Sequence, residues 1–315
     1  MSNLKLGTRG SQLALYQANT TASLLKTHAG IDCEIVVIKT SGDRLAEVPL
    51  SEIGGKRLFV KEIEDSLLAG DIDLAVHSSK DLPAVLPPRL TLGAVLPRED
   101  ARDAVVLPVG RLASSVDAVK ALLGPAPRIG TSSVRRVAQL SRVFPGAQFA
   151  PIRGNLDTRL RKLDAGENAA LVLAAAGLRR LGFQSRISFT LPATLCVPAP
   201  GQGIIAIEIR AGDEGVAARV SSITDAAAWA ALTAERALVE ALGGGCQTPI
   251  GALASPDGVD GLDLLATVVS LDGTRVVYGS ARGTRAEAAA LGAHVAGQLL
   301  NDGAGDILEE VRRGQ

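Results

Sequence analysis

Short runs rich in Val, Ile and Leu recur through the first 200 residues, each followed by a helix-length segment with apolar residues three and four apart. A strand over 4–7 leads into a helix opening near Ser11, with EIVVIK at 34–39, a helix over 59–68 and DLAVH at 73–77 after it. The alternation pauses through the proline-rich stretch 83–97 and then restarts. Strands at 104–107, 127–130, 148–152 and 169–174 are separated by helices over 114–123, up to Phe144, and over 155–165. This order predicts a mostly parallel sheet with helices on both faces. Two such α/β units in succession predict two lobes with a cleft between them, where a ligand would bind.

Beyond a further strand at 203–210 the pattern changes. An Ala-rich helix over 225–242 ends at Gly243-Gly244-Gly245. Strands over 262–270 and 274–281 then flank an Asp272–Gly273 turn, and a helix covers 285–300. This reads as a smaller α+β domain with its own antiparallel sheet. Residues 41–57, with Gly42, Pro49, Gly54 and Gly55, read as a long functional loop.

Composition narrows the partners. The 315 residues carry 33 Lys+Arg against 33 Asp+Glu, which argues against a chain whose role is general binding to nucleic acid or anionic membrane. Aromatic residues make up only 3%, too few for base-stacking platforms. The longest apolar run, 169–178, is short of a membrane span. Three cysteines and an N-terminus without an apolar leader suggest a reducing cytoplasm. The neutral total hides a field: residues 128–162 hold eight bases and one acid, whereas residues 208–315 hold fifteen acids and eight bases. Arginine outnumbers lysine 25 to 8. Because guanidinium groups grip carboxylates with two parallel hydrogen bonds, the basic segment is a candidate wall for a polyanionic small molecule.

Four segments can carry chemistry. Cys246 lies in GGGCQTPIG, where glycines would let the backbone expose a thiol; a small buried cysteine in a tight turn is the competing reading. Cys33 and Cys196 read as structural. Lys80 and Asp81 follow the strand DLAVH, at the strand end where α/β proteins bind ligands, although a solvated turn would look the same. Gly130 to Arg136, GTSSVRR, joins a strand to a helix and offers free amides, hydroxyls and paired arginines to an anion, or simply caps a helix. Arg153 to Arg159, RGNLDTR, repeats that arrangement. No P-loop, no GxGxxG after a strand and no metal-ligand spacing of Cys and His is present, so neither a nucleotide nor a metal is expected.

Taken together, these segments resemble the porphobilinogen deaminase (hydroxymethylbilane synthase) family over essentially the whole chain. The resemblance rests on GTRGSQLALYQ at 7–17, GGKRLFVKE at 54–62, AVHSSKDLP at 75–83 and GTSSVRR at 130–136. RGNLDTRL at 153–160, AAAGLRRLG at 174–182, PGQG at 200–203 and GGGCQTPIG at 243–251 complete it. Arg57 departs from the family's usual glycine.

The resemblance implies a transferase that joins four porphobilinogen units head to tail into linear hydroxymethylbilane, releasing ammonia from each. It implies a dipyrromethane cofactor in thioether linkage to Cys246. It also implies two lobes like type II periplasmic binding proteins, with mostly parallel sheets, plus a smaller α+β C-terminal domain. The boundaries would be 1–99 with 201–221, then 100–200, then 222–315. Asp81 matches the aspartate that stabilises positive charge on the pyrroles, beside Lys80. Arg9, Arg135, Arg136, Arg153, Arg159 and Arg180 match positions that bind the acetate and propionate groups. Ser11, Thr131, Ser132, Ser133, Gly154 and Gln202 match further cofactor contacts. A cytoplasmic monomer is expected, free of nucleic acid and membrane. The alternatives are a non-catalytic two-lobed anion-binding protein and a thiol hydrolase, the latter weakened by the absence of a His to pair with Cys246.

Overall fold

The computed structural model describes residues 3–44, 60–245 and 248–313. Strand β1 (Leu4–Thr8) runs into a helix at Gln12–Ala29, and β2 (Cys33–Val37) pairs parallel to β1. A helix at Lys61–Ala69 precedes β3 (Leu74–Ser78), also parallel to β1, and β4 (Leu90–Val95) follows. The chain then crosses to a second sheet through β5 (Asp103–Val106), β6 (Arg128–Gly130), β7 (Gln148–Ala150), β8 (Ala170–Ala174) and β9 (Phe189–Thr190). It returns to the first sheet through β10 (Ile205–Arg210).

The two sheets share one layout. The first has the order β2-β1-β3-β10-β4 and the second β7-β6-β8-β5-β9. In each, one strand runs antiparallel to its neighbours: β10 in the first sheet, β5 in the second. In each case that strand is the one arriving from the other lobe. The sheets are therefore laced together by two crossing segments, 96–102 and 191–204, which lie side by side. Gln202 donates Nε2–H to Ala101 O at 2.6 Å, Arg98 Nε donates to Gln202 O at 2.9 Å, and Glu99 N donates to Gly203 O at 3.1 Å. Gly203 has φ +88°, and a Cβ there would stand 2.3 Å from Glu99 O, so only glycine permits this approach.

The third domain packs the helices Ala226–Ala241, Ala288–Asn301 and Ala304–Arg313 on an antiparallel sheet. Its strands are β11 (Ile250–Asp257), β12 (Gly261–Val269) and β13 (Val276–Thr284), in that order. A single apolar core, from Ala230 through Leu238 and Val268 to Leu308, joins the two layers. No helix among the described residues is long and apolar enough to cross a membrane.

Three expectations about elements need correction. The stretch 83–97 contains β4, an edge strand that the flanking prolines at 83, 87, 88 and 97 obscure although none lies within it. The C-terminal sheet has three strands instead of two, since β11, with its Gly, Ala and Pro, has poor strand propensity and is held by pairing to β12. Short helices at Glu214–Ser221 and Ala304–Arg313 also went unread. The expected loop 41–57 lies largely outside the described residues, as does Arg57.

Glu235 binds the third domain to both crossings. Its buried carboxylate accepts from Arg98 Nη1 at 2.5 Å, from Gly201 N at 2.6 Å and from Ala254 N at 2.7 Å. Removing one partner of a buried pair leaves the other charge unpaired, so Glu235→Ala should cost about 3–5 kcal/mol. Urea unfolding followed by circular dichroism checks this; a loss below about 1 kcal/mol would contradict the anchoring role.

Candidate active site

The matched residues lie just past the carboxyl ends of the mutually parallel strands of each sheet. Arg9 and Ser11 follow β1, Lys80 and Asp81 follow β3, and Thr131 to Arg136 follow β6. Arg153 and Gly154 follow β7, and Arg180 closes the short helix Ala175–Arg180 after β8. Of these, Lys80, Ser133 and Arg135 line one cleft.

Helix starts supply free amides there. Ser11 Oγ accepts from Ala14 N at 3.2 Å, Ser133 Oγ from Arg136 N at 3.4 Å and Asn155 Oδ1 from Thr158 N at 2.9 Å. Each hydroxyl or amide caps its helix, and the remaining amide dipoles favour negative charge. Ser132 Oγ ties the ends of β6 and β7 together, donating to Ile152 O at 2.8 Å and accepting from Ile152 N at 3.0 Å. Gly154 has φ +105°, and a Cβ there would clash with Thr158 at 2.7 Å.

A cleft opens where the three domains meet. The first lobe lines it with Ser79, Lys80 and Leu82, and the second with Ser133 and Arg135. The crossing adds Ala199 and Pro200, and the third domain adds Arg236, Gly245 and Thr248. Gly245 and Thr248 bracket the two residues Cys246 and Gln247, which lie outside the described residues. The bracket is tight: Thr248 N donates to Gly245 O at 3.0 Å, Thr248 Oγ1 donates to the same oxygen at 2.6 Å, and Gly245 N donates to Thr248 Oγ1 at 3.1 Å.

The electrostatics of the cleft are those of a site short of anions. Burial, reinforced by Arg136 and Arg135, pulls Lys80 down to about 8 against the opposing pull of Asp81 and Asp103. Burial and the neighbouring Arg136 and Arg153 lower Arg159 to about 10, with Asp81 opposing. Arg153 and Arg180 are lowered by burial as well. Lys80 thus has Arg135, Arg136, Asp81 and Asp103 for neighbours, and Arg159 has Arg136, Arg153 and Asp81. Arg180 donates Nη2–H to Gly203 O at 2.6 Å, and Ser11 is committed to its helix cap.

Arg135 and Arg136 are held largely inside the second lobe. Both are buried, and both bind Asp103, a fully buried carboxylate absent from the sequence-derived candidates. Burial works against this anion, yet the two guanidinium groups and the Gln202 amide hold its pKa far below the ordinary carboxylate range. Arg135 spends Nη1 on Asp103 and on Val197 O, each at 2.7 Å. Its Nε and Nη2, together with Ser79 Oγ, are buried and meet no hydrogen-bond partner among the described residues. Unsatisfied buried donors cost about 1–3 kcal/mol each, more when charged, so a carboxylate entering the cleft would relieve a standing penalty.

Sequence reasoning also missed Glu235 and Arg236. Arg236 donates Nη2–H to Ala84 O at 2.6 Å and is lowered by burial. The available signal was an acid inside an otherwise apolar segment, DAVV for Asp103 and AERAL for Glu235, since such an acid demands a partner. Cys196 is inert as expected: burial and nearby Asp103 push its thiol up to about 12.

Two family models match the chain. "Porphobilinogen deaminase, dipyromethane cofactor binding domain" matches residues 4–218, and "Porphobilinogen deaminase, C-terminal domain" matches residues 229–301. The chain is 45% identical over 312 residues to a porphobilinogen deaminase of Syntrophobacter fumaroxidans, covering 98% of each. It is 46% identical over 314 residues to that of Syntrophomonas wolfei, covering 99% of this chain and 100% of the relative. Among solved structures, the second substrate binding domain of a putative amino acid ABC transporter from Streptococcus pneumoniae is similar at TM-score 0.45 and 11% identity, covering 77% of this chain and 95% of that one.

The crowding around Lys80 has a measurable consequence. Its ammonium should titrate near pH 8, followed by NMR of a ¹³C-labelled lysine side chain. A midpoint at its ordinary value of 10.5 would contradict the enclosed, cation-crowded geometry.

Proposed function

The chain belongs to the porphobilinogen deaminase family, and we propose that it joins four porphobilinogen units head to tail into linear hydroxymethylbilane, releasing ammonia from each, on a dipyrromethane cofactor held by Cys246. Likeness to deaminases along the full length favours this enzyme over a non-catalytic anion-binding protein. The observation that carries the reading is a cleft that sets Lys80 and Arg135, the latter with Nε and Nη2 lacking a partner among the described residues, against the base of the cysteine loop.

The residues present suit the cofactor. Each of its pyrroles carries carboxylate side chains, and the cleft offers orphaned guanidinium and hydroxyl donors, a partly buried lysine and helix-start amides. When bound, the dipyrromethane supplies the free pyrrole α-carbon to which the first substrate is joined. Arg135, Arg153 and Arg159 hold carboxylates of cofactor and growing chain, with Arg9, Arg136 and Arg180 adding positive charge on the two lobes. Lys80, bonded to Gln202 Oε1 at 3.4 Å, contributes a further cation on the first lobe. Thr131, Ser132 and Ser133 orient these groups at the start of the helix Val134–Val143.

Asp81 has the opposite task. Loss of ammonia leaves positive charge on the substrate pyrrole, and that charge is shared with the ring N–H. A carboxylate fixed on the one-turn helix Ser79–Asp81 stabilises this charge electrostatically and accepts the N–H hydrogen bond. The enzyme would act as a cytoplasmic monomer, a reading supported by the family resemblance and by the absence of a membrane-crossing helix among the described residues.

Cys246→Ala should yield a folded protein whose intact mass lacks the two-pyrrole adduct carried by wild type, and which makes no hydroxymethylbilane. Turnover by that variant would sink the assignment. Asp81→Asn should retain the adduct while kcat falls by about two orders of magnitude, the scale of losing one electrostatic contact to the transition state. A kcat within about twofold of wild type would remove Asp81 from the chemistry.

A further inference from the structure

Asp103 touches more of the site than any other buried group. It opens β5, the strand that crosses from the first lobe to the second, and it is 0% exposed. Its Oδ1 accepts from Arg136 Nε at 3.0 Å, Arg136 Nη2 at 2.8 Å and Gln202 Nε2 at 2.9 Å. Its Oδ2 accepts from Arg135 Nη1 at 2.7 Å and from the Cys196 thiol at 3.3 Å. One carboxylate therefore joins the helix after β6, the crossing at 191–204 and the start of β5.

The two arginines are used differently. Arg136 turns Nε and Nη2 to Asp103 and Nη1 to Val172 O at 2.9 Å, so both faces of its fork are engaged inside the lobe. Arg135 gives Asp103 only Nη1; its Nε and Nη2 are buried beside the cleft and meet no hydrogen-bond partner among the described residues. Gln202, whose Nε2 rests on Asp103, accepts from Lys80 Nζ through Oε1.

We propose that Asp103 is a positioning residue for the reaction: it turns Arg135 so that its free two-nitrogen edge faces the incoming carboxylate, and through Gln202 it sets the place of Lys80. This rests on reading the cleft as the pyrrole-carboxylate site. Lys80 is faced by Arg135 and Arg136 from the second lobe, by Asp81 from its own turn and by Asp103. The Asp103 charge favours the ammonium, so removing it moves the deprotonation of Lys80 to lower pH.

The test compares Asp103→Asn with wild type by intact mass, KM for porphobilinogen and the pH profile of kcat/KM. The expected result is a KM about tenfold higher, less two-pyrrole adduct, and an alkaline limb displaced to lower pH. A purely structural role would reduce the folded yield and leave KM and the alkaline limb of the folded fraction unchanged, and that outcome overturns the proposal. If Asp103→Asn does not fold, Gln202→Met, which keeps volume and cuts the bridge to Lys80, should still lower the alkaline limb. An unmoved limb in that variant overturns the proposal too. Absence of the two-pyrrole adduct from wild-type protein would refute the functional reading, and the positioning role with it. Adduct in wild type beside an Asp103→Asn enzyme of unaltered KM and profile refutes the positioning role alone.

Discussion

A buried carboxylate held between two guanidinium groups governs how the lobes of this chain meet. Asp103 is withdrawn from water, a state that costs several kcal/mol for an isolated ion. It is tolerable only because Arg135, Arg136 and Gln202 reach it together. Those partners come from the helix after β6 and from the return crossing, so the ion can be satisfied only when second lobe and hinge are assembled. The same contacts leave one arginine edge unsatisfied. Around the cleft the cations Lys80, Arg135, Arg136, Arg153 and Arg159 outnumber the anions Asp81 and Asp103.

The third domain repeats the device. Glu235 is as buried as Asp103 and gathers Arg98 and two backbone amides, one of them in the Gly201–Gly203 turn whose central residue also bonds Asp103. Two buried acids thus grip a single turn from opposite sides. The helix that carries Glu235 ends at Ala241, and the cysteine-bearing loop departs from there. Helix Ala226–Ala241, the Gly201–Gly203 turn and the Asp103 cluster form one connected set. Lobe motion would have to be absorbed by the crossings, where Gly201 and Gly203 adopt positive φ.

Local pattern carried most of the elements, because strands such as EIVVI and helices such as 12–29 declare themselves within ten or twenty residues. Strands whose identity depends on a distant partner were harder. β4 hides among prolines and is stabilised by β10, more than a hundred residues later, and β11 is stabilised by β12. The candidate site followed the same division. Arginines and hydroxyls at strand ends sit in short motifs and were legible. Asp103 and Glu235 lie in unremarkable apolar stretches, and their partners stand 32 and 137 positions away. Burial of an acid is a property of the assembled fold, which is why those two anchors surfaced only with the structure.

The excess of arginine over lysine acquires a physical meaning at the cleft. Burial and like-charged neighbours take Lys80 from 10.5 to about 8 and Arg159 from 12.5 to about 10. The displacement is similar, but its consequence in mildly alkaline solution is not. A wall of lysines subject to the same burial would hover near half protonation at pH 8, weakening its grip as the enclosure tightened. Arginines under the same penalty stay charged, and their planar forks hold carboxylates by two bonds each. A site that must bind several carboxylates while excluding water therefore has to be built from arginine. The single lysine, Lys80, stands beside Asp81 on the one-turn helix Ser79–Asp81, where burial already lowers its hold on the proton.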